Sequence, residues 1–232
     1  VLTIELARKC VLVAVGSLAA ILLTLLLVAS QAPVRLVSGY FSALGLAPLG
    51  DARLIEGSAL LTAGDGGGVV HWQWCPRRGL TALCATLTLG SAYYSAELHP
   101  GIAGVGVTRL VFSGIDGAAL GIAALAPEAR VGGELDGLRF AWKDTCPHHG
   151  LATARGAIVV AGVPGGELRL QVAGDGAQGV AVSGGGVRGH FALAGDRVRG
   201  TLELPPRLLP EIGGPGLQGG VIEVAKAMPC RR

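Results

Sequence analysis

Aromatic side chains are scarce in this chain of 232 residues, at 4% of positions, and charged ones occupy only 15%. Any core must therefore be assembled from Val, Leu, Ile and Ala, with few ring contacts. Blocks of like charge longer than two residues are missing, the pairs being Arg8-Lys9, Arg77-Arg78 and the terminal Arg231-Arg232, and the formal net charge is only +3. The clustered basic stripe of a nucleic-acid-binding surface is thus absent. No serine sits in a G-x-S-x-G elbow, and Ser183-Gly184-Gly185-Gly186 reads as a turn. The glycine clusters lead into no G-x-x-x-x-G-K-[ST] loop and have no strand-to-helix G-x-G-x-x-G context. These absences argue against an enzyme and leave no catalytic residue, metal ligand set or cofactor site to assign.

Charge is also missing from Cys10 to Ser30, CVLVAVGSLAAILLTLLLVAS, twenty-one positions rich in Leu, Val, Ala and Ile. At about 1.5 Å rise per residue this run reaches roughly 30 Å as a helix, the thickness of a bilayer's hydrocarbon core. It is expected to be a transmembrane helix (residues 10–30) after a short cytoplasmic start (1–9), because Arg8 and Lys9 precede it and positive flanks stay inside. The competing expectation is a cleaved secretory signal ending at Val28-Ala29-Ser30, but an apolar run of about 20 exceeds the usual h-region.

What the chain has in abundance is glycine, 39 residues without the strict period of a collagen. Glycine recurs between short aliphatic and β-branched runs, as an all-β chain with many tight turns requires. The expected fold is mainly β: one N-terminal transmembrane helix, then an elongated antiparallel sheet domain with one or two short helices. Residues 31–53 are expected to form a membrane-proximal helix and linker, with the three-and-four spacing of Val37, Tyr40, Phe41 and Leu44. Residues 54–206 would form the β domain and 207–232 a tethered tail.

Within the β domain, Arg53 to Ala63 and Val69 to Trp74 read as a hairpin in which Val70, Trp72 and Trp74 share one face, with His71 turned away. Ala82 to Leu89 pairs with Ala92 to Leu98, and Val107 to Phe112 follows. Gly114 to Pro127 suits one or two helical turns, Gly133 to Trp142 a strand with a bulge at Gly137, and Asp144 to Thr153 a loop. The segments 154–161, 166–173, 179–183, 187–193 and 197–204 read as an antiparallel meander, with one last short strand at 220–224. Leu168, Leu170 and Val172 would face inward, and Glu167, Arg169 and Gln171 outward.

Four of the five cysteines, Cys75, Cys84, Cys146 and Cys230, lie beyond the apolar run, an even number that suits an oxidising compartment. Four cysteines permit three pairings; the favoured one joins Cys75 to Cys84 on neighbouring strands and Cys146 to Cys230. A zinc site made of the same thiols with His148 and His149 is the alternative. The large aromatics Trp72, Trp74 and Trp142 are candidates for core packing or for protein-interface anchors. Tyr40 and Phe41 could rest at the membrane surface or pack against the first strands. Open sheet edges would offer a second route to partners, by strand addition.

Three stretches resemble the type II secretion system protein N family (general secretion pathway protein N). They are Leu54-Ile55-Glu56-Gly57-Ser58 with Val69 to Pro76 and Leu80, then Gly114 to Gly121 with Gly133 to Leu138, then Gly195 to Gly200 with Leu204 to Arg207. The resemblance implies a single-pass accessory subunit of the bacterial inner membrane, its N-terminus cytoplasmic and its bulk periplasmic, that serves protein secretion by binding other subunits. The four outer cysteines and the longer tail depart from that pattern. Two further roles fit the same residues: a structural or assembly subunit of another membrane complex, such as an energy-transducing one, and a lipid-handling β domain whose aliphatic face holds an acyl chain.

Overall fold

The computed structural model describes residues 32–34, 46–61, 67–79, 81–116, 129–143, 146–163, 166–176, 179–206 and 221–227. The expected transmembrane helix, Tyr40, Phe41, Cys230 and most of the two predicted short helices lie outside these residues.

The described chain is mainly β. Its strands are β1 (Leu46–Leu49), β2 (Glu56–Leu61), β3 (Gly68–Trp74), β4 (Leu83–Leu89), β5 (Ala92–Pro100), β6 (Gly104–Asp116) and β7 (Arg130–Asp136). They continue as β8 (Leu138–Ala141), β9 (Arg155–Val163), β10 (Gly166–Gly174), β11 (Gly179–Gly184), β12 (Val187–Ala194), β13 (Arg197–Glu203) and β14 (Val221–Ala227). All belong to one antiparallel sheet whose spatial order follows the chain from β1 to β14. The exception to that order is β8, which prolongs β7 along β6 instead of adding a new position. Gly137, at φ +71°, turns the chain between β7 and β8, so the bulge expected there is a full break between strands.

Side chains alternate across a strand, so registered neighbours share a face. One row runs Ala59, Val70, Leu87, Tyr94, Phe112, Gly133, Ile158 and Leu170 across eight strands. A parallel row runs Trp72, Ala85, Ala96, Leu110, Leu135, Gly156, Val172, Val182, Gly189 and Leu202. These rows form the apolar face. The opposite face carries Ser58, His71, Thr86, Ser95, Glu134, Gln171, Ser183, Arg188 and Glu203.

Two irregularities keep β6 in phase. Its apolar residues are spaced by three at Val107 to Leu110 and at Phe112 to Ile115, which strict alternation would place on opposite faces. One extra residue of β6 is absorbed against β5, where the register shifts at Glu97/Leu98, and another against β7, between Phe112 and Ile115. Gly114 lies in the second irregularity at φ +70°.

Four of the rings in this chain lie over glycines. Gly57 faces Trp72, Gly133 faces Phe112 and Gly200 faces Phe191 in the strand registers. A Cβ on these glycines would come within 2.7 Å of Trp72 Cζ2, 3.0 Å of Phe112 Cζ and 2.6 Å of Phe191 Cδ1. Phe140 lies in the same way against Gly150. Each ring thereby takes up space at a position where no side chain competes, which covers backbone with few aromatics.

The segment expected to be a loop before β9 is a 3₁₀ helix, Pro147–Thr153, with Pro147 in its first turn. It packs with β8, β10, β11 and β12, and Gly174 N donates to Ala154 O (2.7 Å) while Gly176 N donates to Ala152 O (2.8 Å). Ala152 and Ala154 join Leu135, Leu138, Val172, Val180 and Leu193 in the main core cluster. Part of the buried core thus lies between the 3₁₀ helix and β8, β10, β11 and β12.

A disulfide joins Cys75 to Cys84 across the β3–β4 turn, with Cα atoms 5.8 Å apart. Cys146 is also disulfide-bonded.

Two outcomes test this description. Replacing both Cys75 and Cys84 by Ser opens a short loop and should lower unfolding stability by about 2 kcal/mol in urea titration; a change below about 0.5 would mean that the turn is already held by its hydrogen bonds. Gly200→Val forces a side chain under Phe191 and should cost about 2 kcal/mol, whereas Thr201→Val on the opposite face should cost less than about 0.5.

Candidate interaction surfaces

The three tryptophans occupy different settings. Trp72 is half-buried on the apolar face; its Nε1 donates to Arg53 O at 3.0 Å, and its ring lies over Gly57, whose absent Cβ would also touch Ala52. This ring fastens the segment before β2 to the sheet. Trp74, two residues on and on the same face, is 43% exposed at the end of β3. Trp142 directly follows β8 and is 60% exposed, so it is no core residue. Its Nε1 donates to Gly101 O at 2.8 Å, and its backbone N to Ala103 O at 3.2 Å, which sets the ring against the β5–β6 hairpin tip. Ile102 in that tip is fully exposed. Its only signal in the sequence is an isolated aliphatic residue in Pro100-Gly101-Ile102-Ala103-Gly104.

His71 points to the polar face, as its register requires, and its Nδ1 lies 2.6 Å from Ser58 Oγ. His148 is buried, with the His149 ring centroid 4.6 Å from its own. Cys146, His148 and His149 place their ligand-type atoms within 4.8 Å of one another. Zinc needs a deprotonated thiol, however, and the sulfurs of Cys75, Cys84 and Cys146 are all held in disulfides.

The polar face bears a shallow groove of about 580 Å³ over β6, β7, β9 and β10, lined by Val111, Val159, Ala161, Arg130, Glu134 and Arg169 among others. Two of its charges are engaged in cross-strand pairs: Arg109 Nε donates to Glu134 Oε1 at 2.6 Å, and Arg130 pairs with Asp116. The hydrogen bond from Arg109 to Glu134, and then the carboxylate's charge, raise the Arg109 pKa above its usual value. Both partners are about half exposed, so water screens the pair and its role is to fix register.

The sheet ends in two edges. Among the described residues β1 pairs only with β2, and β14 only with β13. β1 carries Pro48, which has no N–H to offer a further strand, whereas the seven residues of β14 contain no proline. Neither edge strand lies within the 54–206 span expected for the sheet: β1 falls in the predicted linker and β14 in the predicted tail.

No protein-family model, curated protein or solved structure matches this chain.

The division of labour among the rings is measurable. Trp72→Ala should destabilise the domain by about 3 kcal/mol, through lost packing and the lost bond to Arg53 O, while Trp142→Ala should cost less than about 1. Equal losses from the two would contradict the assignment of Trp72 as a structural clamp.

Proposed function

We propose that this protein is a single-pass inner-membrane accessory subunit whose exported β domain binds other proteins of a secretion machine, in the manner of the type II secretion N component. The observation that carries the binding role is the edge position of β14: among the described residues its seven proline-free positions pair only with β13, which leaves the other side of the strand for addition of a partner's strand. The apolar run at residues 10–30 supports attachment to the membrane, and the disulfides support an oxidising, periplasmic location for the sheet. The sequence resemblance supplies the secretion context. On this reading the protein is not an enzyme, and its partners are neighbouring membrane-complex subunits.

A second reading, lipid handling, draws on a different feature. The aliphatic rows crossing the sheet offer a continuous apolar track on which an acyl chain could lie. Phospholipid retained in native mass spectra after gentle extraction would favour it.

The full-length protein, purified in mild detergent from its own membrane, should bring secretion-system inner-membrane subunits with it. Ala225→Pro in β14 should abolish that recovery while leaving the domain's near-ultraviolet circular dichroism intact. A stoichiometric set of unrelated subunits would instead make it a structural or assembly component of another complex, such as an energy-transducing one.

A further inference from the structure

The sheet has one rim from which the chain departs toward the apolar run. Pro33 bridges to Arg53, Val34 N donates to Ala52 O at 3.0 Å, and Leu54 N donates to Ala32 O at 3.1 Å. Segment 32–34 is therefore tied to the segment entering β2, at the Trp74 end of β3, since Glu56 pairs with Gln73. Ser30, the last residue of the apolar run, is two residues from Ala32, and two residues span at most about 7 Å.

The same rim continues along the strand ends through a series of contacts. Trp72 Nε1 holds Arg53 O. Trp74 pairs with Leu83 and leads into the turn that carries Cys75, Arg77 and Arg78. Arg78 Nε lies 3.4 Å from Glu97 Oε1, and Gly79 approaches His99, where a Cβ would sit 3.3 Å from the ring. Pro100 ends β5, and the next turn carries Ile102, against which Trp142 is fastened through Gly101 O.

Along this rim stand three exposed apolar residues, Trp74, Ile102 and Trp142. Exposed cations accompany them: Arg77 follows Trp74 by three residues, and Lys143 follows Trp142 directly. Among the described residues, the acids along this rim are Glu56, paired with Arg53, Glu97, paired with Arg78, and the exposed Asp51. Exposed tryptophan beside Arg or Lys is the chemistry of a membrane interface, where the ring settles at headgroup level and the cation meets lipid phosphate.

We propose that this rim rests on the bilayer, with Trp74, Ile102 and Trp142 entering the headgroup region and Arg77 and Lys143 meeting lipid phosphates. The inference rests on the reading of residues 10–30 as the membrane anchor. It gives the sheet a fixed orientation: the rim lies on the membrane and the opposite strand ends point away from it, so the β14 edge is presented above the lipid surface.

The test uses the full chain reconstituted into vesicles of brominated phosphatidylcholine with phosphatidylglycerol, where bromine quenches tryptophan at interfacial depth. Wild-type emission should be quenched, Trp142→Phe and Trp74→Phe should each remove part of the quenching, and the double variant, which keeps Trp72, should be quenched at least about twofold less. Ile102→Asp should weaken quenching of Trp142 without touching any ring. Equal quenching of the wild type and the double variant overturns the inference. Carbonate extraction of the native membrane reads the anchor separately. Retention after carbonate with no quenching at the rim refutes the rim contact alone, release with quenching refutes the anchor alone, and release without quenching refutes both.

Discussion

Everything in this sheet depends on keeping one face apolar through a path of thirteen strands. A slip of one residue at any hairpin would move every following side chain to the wrong face, so register is the controlling constraint. Short turns set it between most neighbours, and the cross-strand pairs Arg109–Glu134 and Arg130–Asp116 mark it on the polar side. Where the sequence breaks alternation, as at Val107 to Leu110 and Phe112 to Ile115, extra residues restore the phase without disturbing the neighbouring strands.

The same constraint accounts for a chain so rich in glycine and so poor in rings. A one-sided sheet exposes much backbone, and a wide ring laid over a cross-strand glycine covers more of it than two aliphatic residues side by side. Trp72 over Gly57, Phe112 over Gly133 and Phe191 over Gly200 repeat that solution at intervals across the sheet. The 3₁₀ helix adds local cover, with Gly150 admitting Phe140. Trp74 and Trp142 remain exposed and stand at the rim.

Much of this was legible from short-range pattern. The facing of Val70, Trp72 and Trp74, the outward turn of His71 and the alternation of Leu168, Leu170 and Val172 against Glu167, Arg169 and Gln171 all follow from a period of two. The cross-strand Cys75–Cys84 link follows from two neighbouring strands. The structure differs where local signals conflict or stop. The span 31–53, expected as a helix and linker, contains Leu46–Leu49, which pairs as β1, because an edge position tolerates Pro48. The Cys146-Pro147-His148-His149 stretch looked like an open loop, but its first turn begins with proline and its small residues Gly150, Ala152 and Ala154 let it settle on the sheet.

The amino-acid sequence by itself determined that the chain beyond the apolar run is mainly β, which residues of strands such as β3 and β10 share the apolar face, and that this run is long enough for a membrane and precedes the sheet. These depend on side-chain period and on run length, which are local quantities. Tertiary structure alone decided that β14, after an excursion of seventeen residues, returns to β13 and becomes the far edge. It also decided that Ile102 and Trp142, forty residues apart, share one hairpin tip, and that this tip lies on the rim where the chain departs toward its apolar run. Those are pairings between distant segments, chosen by hydrogen bonding and packing across the whole sheet, and no window of sequence contains both partners.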